Sequence, residues 1–264
     1  MGVAGLNRRL HAERARGEVA LSVSPTGIRN LRESGSLKIR VPAGDAQAIL
    51  INTAGGIAGG DDYAISLEAE AGSRLTVTSQ AAERVYRTLG PAATVTTRHG
   101  VGAGGVLHWL PQETILFDGS GLHRRMEVDM APGASFVGLE SVILGRRESG
   151  EVIHGLTFRD SWSIRQAGRL IHSERVHLNG SLPQGAATLG KASAFATLLI
   201  VSPDAETLLD RCLPLVSHCG SASAWNGKLL VRLLGRDGFE IRKCLLKLLP
   251  ALLAPRDLPK AWLF

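Results

Sequence analysis

Glycine-centred turns recur along this chain at intervals of roughly 30 residues, a spacing that marks repeated supersecondary units. Ala71-Gly72-Ser73-Arg74-Leu75, Pro132-Gly133-Ala134-Ser135-Phe136 and Ala167-Gly168-Arg169-Leu170 each sit between strand-like segments. Ala103-Gly104-Gly105-Val106 is a more degenerate copy. The intervening segments alternate in polarity with period two. Tyr63, Ile65 and Leu67 alternate with Ala64, Ser66 and Glu68; Leu75 and Val77 alternate with Thr76 and Thr78; Met126, Val128 and Met130 alternate with Glu127 and Asp129. Such strands bury one face and wet the other. One such unit cannot bury its apolar face alone, whereas stacked neighbours share a continuous core. The pattern predicts a mainly β fold of stacked β-hairpin layers resembling a β-helix or solenoid. A plain β-sandwich with glycine-rich turns is compatible with the same residues.

Two helices are expected in the C-terminal third. Ser202-Pro203-Asp204 caps a run with Leu208, Leu209, Cys212 and Leu215 at helical spacing. A second helix runs from Lys243 to Leu249 and stops near Pro250 or continues kinked past it. Lys228 to Leu234 reads as a buried strand, and the Arg236-Asp237-Gly238 turn leads from it into the second helix. No flexible linker interrupts the chain, so a single domain over 1–264 is expected.

Composition narrows the partners. Of 264 residues 44% are hydrophobic and 20% charged, enough apolar material for a core. The net charge of +6 is scattered and aromatic residues make up 5%, so a nucleic-acid surface is not indicated. The apolar run near Leu245 to Leu253 is too short to span a membrane and contains Lys247. The N-terminus is polar through Arg16, without the apolar stretch of a signal peptide. Three cysteines, Cys212, Cys219 and Cys244, form no disulfide framework. A cytoplasmic location is expected.

The usual catalytic motifs are missing. The stretch from Leu50 to Asp61 runs from an apolar strand through Gly55-Gly56 and Gly59-Gly60 to a carboxylate, with neither the lysine of a P-loop nor a dinucleotide glycine order. There is no G-x-S-x-G elbow, no H-E-x-x-H and no C-x-x-C. A small β-fold hydrolase built on Asp118 and Glu113 would lack a nucleophile or base pair. The acids are more informative. Asp61 ends the glycine segment, where bonding turn amides is its ordinary role. Glu83 lies beside Arg84 and Arg87, where an ion pair is the default, and Glu113 opens a strand. Glu140 shares a strand face with Phe136, Gly138, Val142 and Leu144, while Val137, Leu139 and Ile143 make the other face apolar too. Glu174 shares its face with Leu170, His172, Val176 and Leu178, opposite Ser173, Arg175, His177 and Asn179. Inward carboxylates cost several kcal/mol each unless paired or wet. They read either as an internal polar path, with Glu140, Glu174 and His172 as ligands for a borderline cation such as nickel, or as buried ion pairs to Arg146 or Arg175. His218-Cys219 with Cys212 could hold a soft metal, although cysteines on apolar faces are mostly core. His108, His123 and His154 sit on separate strands without ligand spacing.

Four motifs in order carry a resemblance. They are Leu50 to Asp61; Thr78-Ser79-Gln80-Ala81-Ala82-Glu83-Arg84-Val85-Tyr86-Arg87; Trp109-Leu110-Pro111-Gln112-Glu113-Thr114-Ile115-Leu116-Phe117; and Leu144-Gly145-Arg146-Arg147-Glu148-Ser149-Gly150-Glu151. With these spacings the chain resembles the urease accessory protein family UreD, called UreH in some bacteria, from about Leu50 to the C-terminus. The resemblance implies a largely β, helical stack of strands. It also implies a non-catalytic scaffold that helps install nickel and a lysine carbamate in apo-urease. A UreF-like accessory protein and, through it, a UreG-like GTPase are the implied partners, with a homodimer inside the complex left open. Nickel would be transient cargo, with no permanently bound cofactor, and an internal tunnel is its implied route. Matched by motif, Asp61, Glu83, Glu140 and Glu174 are the implied lining. A pure adaptor with no metal path is the alternative. The chain departs from the family at Gly44 to Asn52, which lacks a proline-aromatic stretch and a Cys-His pair, so a metal role for that histidine is absent. Pro255-Arg256-Asp257-Leu258-Pro259-Lys260-Ala261-Trp262 resembles the family's ending, with Lys260 in place of arginine.

Overall fold

The computed structural model describes residues 14–42, 47–146, 149–254 and 258–262. The N-terminal stretch before Arg14, the Gly44-Asp45-Ala46 departure, Arg147-Glu148 and Pro255-Arg256-Asp257 lie outside the described residues. In chain order the strands are β1 (Arg16–Ser24), β2 (Gly27–Gly35), β3 (Leu37–Arg40), β4 (Gln47–Asn52), β5 (Asp62–Ala69), β6 (Arg74–Ser79), β7 (Glu83–Val85), β8 (Ala93–Val101) and β9 (Val106–Trp109). They continue as β10 (Thr114–Leu116), β11 (Gly121–Met130), β12 (Ser135–Leu144), β13 (Leu156–Gln166), β14 (Arg169–Gly180), β15 (Ala194–Val201), β16 (Gly220–Trp225) and β17 (Lys228–Gly235). Two helices, α1 (Leu209–Val216) and α2 (Gly238–Leu252), flank β16 and β17.

The strands form two sheets. The first has the order β14-β13-β11-β8-β5-β1-β2, and the second β16-β17-β15-β12-β9-β6-β4-β3, with β10 joining β12 to β7. From β4 to β13 the chain passes back and forth between them. Successive turns of this path pair in parallel: β5 with β8, β8 with β11 and β11 with β13 in one sheet; β4 with β6, β6 with β9 and β9 with β12 in the other. Ile65, Thr97, Met126 and Trp162 thus stand at equivalent positions in successive coils. This is the solenoid-like stack that the repeated turns predict. Its repeating unit is an arch, whose two strands lie in opposite sheets and bury their apolar faces against each other.

The arches explain the glycines. Gly72, Gly104 and Gly133 have φ of +66, +64 and +72°, the left-handed backbone that glycine adopts without Cβ strain. Ala103-Gly104-Gly105 is therefore a full member of the series despite its degenerate sequence. Ala167-Gly168 is the exception. Both residues have positive φ, 49 and 77°, which makes a tight two-residue hairpin to the antiparallel β14 and ends the parallel stack.

A first core fills the space between the sheets and includes Tyr63, Leu107, Phe136, Phe158 and Trp162. A second lies between the outer face of the second sheet and the helices, and includes Leu139, Leu198, Val231, Leu245 and Trp262. β12 and β15 separate the two cores, which is why both of their faces are apolar. The helices differ in detail from expectation. Asp204 leads into a short 3-10 turn, and regular helix begins only at Leu209. α2 starts at Gly238 because the Asp237 carboxylate accepts the Glu240 amide at 2.9 Å, and it runs through Pro250 to Leu252. No helix among the described residues is long and apolar enough to cross a membrane.

Stacking of the arches demands space at Gly102, where an added Cβ would lie 2.4 Å from the Ala71 amide nitrogen. At Gly104 nothing lies within 4 Å of that position. Gly102→Ala should therefore cost about 3 kcal/mol, against about 1 kcal/mol for Gly104→Ala from backbone strain alone. Urea denaturation of both variants checks this, and equal losses would refute the close stacking.

His99 lies in the first core with its ring 5.2 Å from Trp109 and 6.1 Å from Phe136. Burial pushes its pKa down from 6.5 to about 3, against a small opposing effect of the Arg98 backbone. A depressed pKa means that the neutral ring contributes its full stability above pH 6.5 and loses it as pH falls toward 3. His99→Leu should flatten the loss of unfolding free energy below that point by about 1.4 kcal/mol per pH unit. Identical slopes in the two proteins would contradict the burial of this ring.

Candidate functional site

The interior opens where strands of the second sheet are broken. β6 ends at Ser79 and β7 resumes at Glu83; β9 ends at Trp109 and β10 resumes at Thr114. Pro111 lies in the second break and has no amide to offer a ladder. The glycine segment stacks beside them: the Ile57 amide donates to the Arg84 carbonyl at 2.7 Å and the Tyr86 amide to the Ile57 carbonyl at 2.9 Å. The breaks leave an interior cavity of about 70 Å³ whose lining includes Asn52, Glu83, Trp109, Thr114, Arg124 and Glu140. That volume has room for several water molecules at roughly 10–15 Å³ each. A second pocket of about 190 Å³ lies over Gly55, Gly56 and Gln80 and shares Asn52 and Glu83 with the first. Glu83 thus stands between the two. Asn52 Nδ2 donates to its Oε2 at 3.0 Å, and burial pushes its pKa up. The expected pairing with the neighbouring arginines gives way to this bond; Arg87 turns to Asp118 instead.

Glu140 lies at the inner end of the cavity. It sits where β12 leaves β9, after Gly138 pairs with Trp109, and before it joins β10, where Val142 pairs with Thr114. Trp109 Nε1 donates to Glu140 Oε1 at 2.9 Å. Arg124 donates to Glu140 Oε2, to Thr114 Oγ1 at 3.2 Å and to Asp160 Oδ2 at 2.7 Å. Trp162 Nε1 also donates to Asp160 Oδ2, at 3.3 Å. Arg124 and Asp160 are direct neighbours in the parallel ladder, so strand register brings them together. The three charged side chains are each only 6–7% exposed. Two carboxylates share one guanidinium, leaving one negative charge in excess when both are ionised. Burial pushes the Glu140 pKa up to about 7; Arg124 opposes this and Asp160 adds to it. Burial works against the charge on Arg124, yet the two carboxylates keep it protonated.

Glu174 lies on β14 and points inward with His172, as strand parity predicts, while Ser173, Arg175, His177 and Asn179 face outward. Arg232 of β17 grips it with both terminal nitrogens, at 3.1 and 2.7 Å. His172 Nε2 is 3.9 Å from Glu174 Oε2. Burial lowers the His172 pKa, with Glu174 opposing and Lys228 and Arg232 adding to the shift. In the second sheet Glu140 pairs with Thr197 and Thr197 with Arg232, so one cross-strand row leads from the first carboxylate to the arginine that holds the second. The expected partners Arg146 and Arg175 are engaged elsewhere. Arg146 pairs with Glu151, and Arg175 donates to the backbone carbonyls of Trp162 and Glu174. Leu170 also departs from parity: the ladder shifts between Ile164 and Arg165, which turns Leu170 outward.

The remaining acids are held by the fold. Asp61 Oδ1 accepts the Ala15 amide at 2.9 Å and Oδ2 the Ala58 amide at 2.7 Å, which closes the glycine turn. It meets the cavity only through Tyr63, whose hydroxyl lies 3.4 Å from Asp61 Oδ2. Asp118 accepts the amides of His154 and Gly155 at 2.8 and 3.2 Å, and Glu113 lies 3.4 Å from Arg242. Arg124 and Asp160 are absent from the sequence reading, although parity reveals them. Arg124 falls in step with Met126, Val128 and Met130, and Asp160 with Phe158, Trp162 and Ile164.

Parallel two-sheeted coils closed around shared ion pairs define a β-solenoid scaffold with a charged interior. The chain belongs to the UreD urease accessory protein family, whose sequence model matches residues 13–262. It is 43% identical over 271 residues to the urease accessory protein UreD of Rhizobium leguminosarum bv. trifolii (strain WSM2304), covering 99% of each chain. It is 45% identical over 242 residues to that of Agrobacterium fabrum (strain C58 / ATCC 33970), covering 89% of this chain and 85% of the relative. To the UreD protein of Mesorhizobium japonicum (strain LMG 29417 / CECT 9101 / MAFF 303099) it is 42% identical over 266 residues, with 95% of each covered.

Arg124→Met should lower stability by about 3–5 kcal/mol, because it strands two buried carboxylates. Glu140→Gln keeps an acceptor for Trp109 and removes the excess charge, so it should cost far less. Equal losses in urea denaturation would show that the cluster is not charged in the fold.

Proposed function

We propose that this chain is a non-catalytic scaffold of urease maturation, and that nickel on its way to apo-urease crosses the interior past Glu83, Glu140 and the Glu174–His172 pair. One observation carries this reading: two carboxylates share a single arginine beside a cavity that reaches toward the surface through Glu83. A buried site with excess negative charge attracts a cation. Carboxylate and imidazole donors suit a borderline divalent ion. A route must also release what it binds, and separated sites of few ligands meet that need better than a closed cage. Glu140 would exchange its proton for the passing ion. Asp61 would hold the shape of the entrance rather than touch the cargo. In this reading nickel is transient and no cofactor stays bound. The partners are apo-urease, a UreF-like protein and through it a UreG-like GTPase, with the chain single or doubled in the complex. The compartment is the cytoplasm. The names of the relatives, urease accessory proteins, support the maturation role.

The adaptor reading draws on Glu174, both of whose oxygens are taken by Arg232. In that case the interior charges only hold the coils together, and the surface does the work.

A Glu83→Gln, Glu140→Gln double variant separates the two readings. Expressed with urease and the other accessory proteins, it should assemble normally but lower urease nickel content and activity by roughly tenfold or more, about 1.4 kcal/mol per decade. Full activation by an assembled double variant would sink the interior route and leave the adaptor.

A further inference from the structure

The second core holds a set of soft ligands unconnected with the carboxylates. Cys219 and His218 lie in the turn that leaves α1 for β16, and Cys244 lies in the middle of α2. One ligand atom from each lies within 4.8 Å of the others. The sequence pairs His218-Cys219 with Cys212, but the fold brings in Cys244 instead; Cys212 is fully buried and stands outside the trio.

The backbone holds these residues in place. The Cys219 amide donates to the Val216 carbonyl at 2.9 Å, and the Leu234 amide to the Cys219 carbonyl at 2.8 Å. Cys244 Sγ points toward α1, 3.8 Å from the Leu215 carbonyl oxygen. His218 is exposed, Cys219 half-buried and Cys244 buried, so the set is anchored in the core and opens to solvent on one side.

We infer that His218, Cys219 and Cys244 form a binding site for a soft-to-borderline transition-metal cation, with two thiolates and one imidazole as ligands and a fourth position facing solvent. Metal–sulfur bonds of about 2.3 Å and metal–nitrogen bonds of about 2.0–2.1 Å put tetrahedral ligand atoms roughly 3.5–3.8 Å apart. The ligand atoms of the trio, all within 4.8 Å of one another, would have to draw together by roughly 1 Å to reach that spacing. Binding forms two metal–sulfur bonds and releases the two thiol protons to water, with no change of oxidation state. A Cys2His set with one open position suits zinc, cobalt or nickel far better than calcium or magnesium.

The test uses the full-length chain, reduced with a non-thiol reductant and titrated with Co²⁺, then competed with Zn²⁺ and Ni²⁺. One equivalent of cobalt should produce a sulfur-to-metal charge-transfer band. Cys219→Ser should abolish the band, and His218→Gln should weaken binding about tenfold or more; both residues lie in the turn after α1, His218 exposed and Cys219 half-buried, and neither is fully buried in the core. Cys212→Ser should leave the titration unchanged. No sulfur band in the unaltered protein, or an unchanged titration in Cys219→Ser or His218→Gln, would overturn the assignment. The Glu83→Gln, Glu140→Gln protein should bind cobalt here like the unaltered chain, so failure of this site and failure of the interior route are distinguishable.

Discussion

Arg124 is the charge around which the interior is organised. From the first sheet it reaches Glu140 in the second and Asp160 on the adjacent strand of its own, and so ties the two layers together where strands of the second sheet are broken. Burying one cation and two anions is costly, and the cost is met only because Trp109, Trp162 and Thr114 supply further hydrogen bonds. The resulting charge imbalance is a property of the cluster as a whole. Burial is the main cause that pushes the Glu140 pKa up to about 7, and the second carboxylate, Asp160, adds to it.

Parallel stacking is what gathers these groups. In a parallel ladder, equivalent positions of successive coils stand side by side, so an inward polar residue in one coil adjoins the same position of the next. Arg124 and Asp160 meet in this way, whereas Glu140, Thr197 and Arg232 are aligned by antiparallel pairing at the end of the second sheet. The cavity lies where β6 and β9 are interrupted, and apolar side chains such as Ile57, Ile65 and Leu122 line it beside the polar ones. The same breaks and the glycine segment bring Glu83 to the boundary between the cavity and the outer pocket.

The second core has a different character. It is formed by one face of a sheet and two helices, and His218, Cys219 and Cys244 come together where α1 turns into β16. β12 and β15 separate this region from the carboxylates, so the hard oxygen donors lie on one side of the second sheet and the soft sulfur donors on the other.

Much of this was legible in the residues alone. Alternation identified the strands, recurring glycines the turns of a stacked repeat (hairpin layers in that reading, arches between two sheets in the fold), and parity the inward aim of Glu140, Glu174 and His172, because side-chain direction along a strand is a local property. The same reasoning applies to Arg124 and Asp160. Partner choice was not legible. Nothing local distinguishes Arg232 from Arg175 as the mate of Glu174, or Cys244 from Cys212 as the companion of Cys219, since each pairing depends on how distant strands and helices dock. The bulge that turns Leu170 outward likewise arises from pairing with β13. The sequence by itself determined which residues face inward and the coil that repeats them; only the tertiary structure decided which of those residues meet, because register and layer packing are set by the whole sheet rather than by any one strand.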